Sequence, residues 1–172
     1  FQLINKKKIK LGYFSSDFKG HAVATLIKSL FINHDKDKFE LYGFNLSEKH
    51  FKENLDEKII ENFNDFFDCY EKKDFEIMKL CKSLSIDIGI DLNGHTKGSR
   101  PSIFKNKCAP IQINFLGFPG TMGDEVYDYI IADKTVIPEE DIKDYSEKII
   151  FMPNSFFPNS FKNEYLETSL KK

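Results

Sequence analysis

IDIGIDLNGHTKGSRP, residues 86–101, passes from an apolar run (Ile86, Ile88, Ile90 and Leu92) into a polar, glycine-bearing loop and then into helix-opening residues. Branched side chains favour extended backbone, and Gly94 and Gly98 permit positive φ or a close backbone approach. Ser99 is placed to cap a helix whose first turn tolerates Pro101. The stretch reads strand, loop, helix. In open α/β sheets, loops at the carboxyl ends of strands are where ligands bind, so function is expected here.

Outward from this stretch the same alternation repeats. Residues 9–14 and 39–44 read as strands, and Val23, Leu26, Ile27 and Leu30 repeat at helical spacing between them. Leu55, Ile59, Ile60 and Phe63 place a helix within residues 48–63, and residues 66–70 a short strand. Asp74 is expected to cap a helix running to Leu84. A short helix at 101–106, a strand at 111–116 that ends in a glycine-rich turn, and strands at 127–132 and 148–152 complete the pattern. The fold class is α/β: a three-layer, Rossmann-like domain with a mostly parallel sheet covered on both faces.

With 172 residues the chain suits one domain, and 41% hydrophobic and 30% charged residues with a formal net charge of −2 leave no footprint for nucleic acid or an acidic membrane. The 18 Phe and absence of Trp read most simply as coding bias. Cys69, Cys81 and Cys108 are odd in number and lack CxxC spacing, which argues against disulfides and zinc and for a reducing compartment. No apolar run is long enough for a membrane span, and no signal peptide is visible. Starting at Phe1, the chain is expected to be an excerpt or a processed product.

Polar residues of interest cluster at three strand ends: 15–21, 93–99 and 117–123. None has the spacing of a P-loop or of GxGxxG. Asp35-Lys36-Asp37 precedes a strand and carries lysines, which removes it as a metal site. His21, at a helix start, is suited to exchange a proton near neutral pH, but capping of its own helix explains it as well and is the weightier reading from the residues alone. His95 is the weaker candidate, His34 and His50 are bystanders, and the formal sequon at Asn45 carries little meaning in an intracellular chain.

Taken together, GYFSSDFKGH (12–21), DLNGHTKGSRP (91–101), APIQINFLGFPGTMG (109–123), DYIIAD (128–133) and YSEKIIFMP (145–153) resemble the catalytic region of O-GlcNAc transferases and their SPINDLY-like bacterial relatives. The resemblance covers the first lobe of a GT-B fold. It implies a lead-in at 1–8 from an upstream region, an N-terminal catalytic lobe at 9–153, and a linker or peripheral tail at 154–172. The implied activity is inverting, metal-independent transfer of a sugar, typically GlcNAc, from a UDP-sugar donor to Ser or Thr of a protein acceptor, in the cytoplasm and with no cofactor. The UDP-binding second lobe and upstream tetratricopeptide repeats are the implied partners. Without that second lobe the chain is expected to be inactive.

Carried over position by position, the His of the SSDFxxH block falls on His21, as a general base or, better supported, a donor-sugar contact. The GFPGT block falls on Leu116, Gly117, Pro119, Gly120 and Thr121, and the NGxTKG loop on Asn93, Gly94, Thr96 and Lys97, all lining the cleft. Here His95 replaces a common Tyr, Asn154 a common His, and Gly20 a common Asn. The competing reading is a non-catalytic sugar- or peptide-binding module on a degenerate lobe. If a second lobe covers this edge, Phe115, Leu116, Phe118 and Pro119 are expected to form an exposed apolar patch.

Overall fold

A computed structural model describes residues 8–19, 21–47, 55–123 and 125–158. Its strands are β1 (Ile9–Ser15), β2 (Phe39–Asn45), β3 (Asp65–Asp68), β4 (Ile88–Asp91), β5 (Ile111–Phe115), β6 (Tyr129–Ala132) and β7 (Lys148–Phe151). They form one seven-stranded sheet in the order β3-β2-β1-β4-β5-β6-β7, with every pairing parallel. The helices are α1 (Ala22–Asn33), α2 (Glu57–Ile60), α3 (Asp74–Leu84) and α4 (Ser102–Lys105), with a 3-10 segment at Glu139–Asp144. The chain builds outward from β1 to β3, then returns to β1 and builds the other way from β4. The boundary between β1 and β4 is therefore the topological switch point.

Register brings the loops to one level. Ser15 sits opposite Asn45, Phe14 opposite Asp91, and Asp91 opposite Asn114. Alternation along the strands divides the core into two layers. Leu11, Tyr13, Leu41, Ile90, Ile113 and Phe115 face Ala24, Ile27 and Phe31 of α1 and Ile59 of α2. Phe14, Tyr42 and Phe44 face Ile77 and Cys81 of α3 and Ile103 and Phe104 of α4. Phenylalanine fills both layers: Phe14 stacks on Phe44 with centroids 4.4 Å apart, and Phe31 meets Tyr13 edge-on at 4.9 Å.

Local structure departs from expectation in several places. The helix expected within 48–63 is reduced to α2, while residues 48–54 lie outside the described residues. The cause lies at both ends. Leu55 pairs with Lys19 in an antiparallel bridge, Asp56 N donates to Phe18 O (3.1 Å), and Leu41 N donates to Asn64 Oδ1 (2.8 Å), drawing the chain into β3. Asp74 does not cap α3; its carboxylate accepts from Arg100 Nε (2.6 Å) and from Ser102. Ser99 does not cap α4 either, because its N–H turns back to Thr96 O and the helix starts after Pro101. Beyond β7, Phe156 is buried in the first core layer and its N–H donates to Asp133 Oδ2 (2.9 Å). No helix among the described residues is long and apolar enough to cross a membrane.

At the end of α1, Tyr13 Oη lies 2.8 Å from His34 Nε2, with the phenol buried and the imidazole half-buried. Burial pushes the His34 pKa below its ordinary 6.5, and burial pushes the Tyr13 phenol upward. The half-buried imidazole is neutral in this hydrogen bond, and protonating it there carries a desolvation cost that the unfolded chain does not meet. A depressed folded-state pKa means that this contribution is fully present above the unfolded value and is lost as pH falls through the folded one. The urea midpoint is expected to fall on acidification below pH 6.5. His34→Gln should flatten that dependence, and an unchanged slope in the variant would assign it to other groups.

Candidate active site

A cleft of about 520 Å³ opens at the carboxyl ends of β2, β1 and β4. The β1–α1 loop contributes Ser16, Asp17, Lys19 and His21, the β4–α4 loop Thr96, Lys97 and Gly98, the end of β2 Leu46 and Ser47, and the turn after β5 Gly117. Four residues marked in the sequence, His21, Thr96, Lys97 and Gly117, are thus brought together from three separate loops.

Asn93 lies beneath the cleft, almost completely buried. Its Oδ1 accepts from Ser16 N (2.8 Å), and its Nδ2 faces Ser16 Oγ (2.7 Å), Thr96 Oγ1 (3.2 Å) and Asp17 Oδ2 (3.3 Å). A single amide therefore ties the β1 loop to the β4 loop. Asp91 Oδ1 accepts from Asn93 N (2.9 Å), an Asx turn that carries the chain into Gly94 at φ +57°. Gly98 also takes positive φ, +84°, and abuts Ser16. Burial raises the Asp91 pKa, against the lowering effect of the Tyr127 hydroxyl and the Asn93 and Gly94 amides.

His21 is placed both at a helix start and in the cleft. It is the N-cap of α1, with Nδ1 accepting from Val23 N (3.3 Å), and it also lines the cleft with a side chain 49% exposed. An imidazole whose Nδ1 accepts from a backbone N–H carries its proton on Nε2. That tautomer offers a hydrogen-bond donor, which suits a contact to a sugar or phosphate oxygen better than proton abstraction. Asp17 Oδ2 stands 3.9 Å from Nδ1.

The turn after β5 is held from below. Leu116, at φ +74°, is buried in the core, and Gly117 lies against the β4 backbone, where a Cβ would come within 2.1 Å of Leu92 O. Asn114 Nδ2 donates to Phe118 O (3.0 Å) and Gly120 O (3.2 Å), and Tyr145 Oη to Pro119 O (3.0 Å). Thr121 Oγ1 donates to Glu147 Oε2 (2.8 Å), whose Oε1 accepts from Met122 N (2.7 Å). Gly94, Pro119, Gly120 and Thr121 flank the cleft without lining it. Of the four residues of the expected apolar patch only Pro119 is exposed: Phe115 and Leu116 are buried, and Phe118 is half-buried beside Gly94 and His95. The β5 register points Phe115 inward, and the left-handed Leu116 folds its side chain down with it.

Ser16, Asp17, Lys19, Leu46, Ser47 and Gly98 were not singled out as site residues from sequence, yet all line the cleft. Their signal was position. Each follows a strand on the same sheet edge, the rule that marked the other loops. Asn45 of the formal sequon is buried at the end of β2. Among the described residues, no group of three or more His, Cys, Asp and Glu is placed to hold a metal.

Gly117→Ala should cost about 3 kcal/mol or more, the upper end of overpacking, because the obstruction is backbone and cannot rotate away. Gly123→Ala, with open space around its Cβ but φ +74°, should cost about 1–2 kcal/mol from backbone strain alone. Chemical denaturation of both variants checks the order, and equal or reversed losses would contradict the close approach at Gly117.

Comparison with known proteins identifies the family and supports the fold. The chain is 35% identical over 158 residues to the probable UDP-N-acetylglucosamine–peptide N-acetylglucosaminyltransferase SEC of Arabidopsis thaliana, covering 92% of this chain and 16% of that protein. It is 34% identical over 162 residues to the UDP-N-acetylglucosamine–peptide N-acetylglucosaminyltransferase of Caenorhabditis elegans, covering 91% and 14%. The chain thus spans about one seventh to one sixth of the length of these relatives. A solved structure of a mutant O-GlcNAc transferase of Thermobaculum terrenum shares the fold, with a TM-score of 0.83 and 22% identity over 91% of this chain and 30% of that one. Residues 2–171 match Glycosyl transferase family 41, and the chain belongs to that family.

Proposed function

We propose that this lobe forms one wall of the reaction cleft of an inverting glycosyltransferase that moves a sugar, GlcNAc by family analogy, from a UDP-sugar to Ser or Thr of a protein. The observation that carries the reading is the convergence of His21, Thr96, Lys97 and Gly117 on one cleft at the switch point. His21 Nε2–H donates to the donor sugar. Thr96, with Ser16 and Ser47, supplies hydroxyls suited to a sugar, and Lys97 supplies positive charge at the rim. A second lobe grips uridine and diphosphate, and the two lobes together hold donor and acceptor at reacting distance. The three cysteines are free and buried, which accords with work in the cytoplasm.

Half a cleft cannot orient both reactants. The 172-residue chain alone is therefore expected to give no turnover of UDP-GlcNAc on a protein acceptor, whereas a longer polypeptide that adds a nucleotide-binding lobe turns over. In that longer form His21→Ala should lower kcat/KM by about 10²-fold, as for loss of one preorganised donor. Radiolabel transfer from UDP-GlcNAc reads both. Turnover by the isolated chain that disappears in His21→Ala would refute the half-cleft reading.

A further inference from the structure

Tyr127 lies outside the cleft, buried just before β6 with its ring against Phe104 (centroids 5.1 Å apart). Its hydroxyl donates to Asp91 Oδ2 at 2.7 Å. Asp91, also buried, is the last residue of β4, and its neighbours in the sheet are Phe14 and Asn114. An apolar side chain there would avoid the cost of a buried carboxylate. What the carboxylate does instead is hold the turn: Oδ1 accepts from Asn93 N at 2.9 Å, and the chain then enters Gly94 at positive φ. From Asn93 the bonds run on to Ser16, Asp17 and Thr96, and Asp17 stands beside His21.

We propose that Tyr127 is a positioning residue: by holding Asp91 it fixes Asn93, and so sets Ser16, Asp17 and Thr96 in the cleft from the far side of the sheet. The inference rests on the transfer reaction proposed above. Without the phenol, Oδ2 of a buried carboxylate has lost its donor and turns toward another, which releases the Asx turn at Asn93 and Gly94. The uridine and diphosphate grip lies elsewhere, so the effect falls on the chemical step more than on donor binding. Replacing the carboxylate with an amide weakens the dependence on the phenol, because the site no longer holds a charge while a neutral Oδ1 still accepts from Asn93 N.

The test uses the full-length polypeptide as wild type, Tyr127→Phe, Asp91→Asn and the double variant, with two readouts. One is hydrogen–deuterium exchange of the peptide spanning residues 91–97; the other is steady-state transfer from UDP-GlcNAc to a protein acceptor. Tyr127→Phe keeps the ring and is expected to speed exchange of that peptide and lower kcat, each by about tenfold, the loss of one hydrogen bond to a charged group. Exchange in β1 and α3 and the donor KM should stay within about twofold, below the 1.4 kcal/mol that a tenfold change represents. In the Asp91→Asn background, Tyr127→Phe should have a smaller effect than in the wild type. Unchanged exchange in Tyr127→Phe, equal effects in both backgrounds, or faster exchange throughout the sheet would overturn the proposal. A wild type that transfers no sugar would refute the proposed reaction, and the exchange comparison would still decide whether Tyr127 holds the turn.

Discussion

The side chain of Asn93 is the joint on which the cleft depends. A parallel sheet brings strand ends to one edge, but it does not specify how the loops leaving them pack. Here one buried amide takes Ser16 N on its oxygen and faces three side-chain oxygens with its nitrogen, so the β1 and β4 loops share a common reference. A neutral hydrogen bond nets about 1 kcal/mol, but stranding the buried Ser16 amide would cost about 1–3 kcal/mol more. The arrangement is therefore more sensitive to loss of Asn93 than to loss of any one of its partners.

The third wall is fixed by a close backbone contact as well as by hydrogen bonds. Gly117 rests on Leu92 O with no room for a side chain, which sets the β5 turn against the same loop that Asn93 organises. Leu116 occupies left-handed backbone to make that approach, a conformation that costs a non-glycine residue about 1–2 kcal/mol. Burial of its side chain, worth about 1.5–3 kcal/mol, offsets the strain. Glu147, reaching from just before β7, then holds Thr121 and Met122 and prevents the rest of the turn from swinging away.

Much of the fold could be read from residue order. Apolar runs in residues 9–14, 39–44, 86–92 and 111–116, alternating with helical spacing, imply a parallel sheet, and the strand-end rule leads to the right edge. Asp74 and the stretch 48–63 misled because capping and helical patterns are local, whereas Arg100, Lys19 and Asn64 engage those segments or their ends through partners distant in sequence. The dual nature of His21 was legible, as a capping residue at a strand-end loop. Ser47 was not, since only the pairing of β2 beside β1 brings the end of β2 to the cleft. Nor was the burial of Leu116, which depends on a left-handed residue where the sequence shows no glycine.

Family membership and the geometry of the switch point meet in one claim, that the cleft between the β1, β2 and β4 loops receives the transferred sugar. A crystal structure of the full-length polypeptide with UDP-GlcNAc bound tests it most directly. The account predicts the sugar ring within hydrogen-bond distance of His21 Nε2 and close to Gly117, with Asn93 unmoved beneath it. A sugar seated away from these loops, with Ser16, Thr96 and Lys97 facing only solvent, would contradict it.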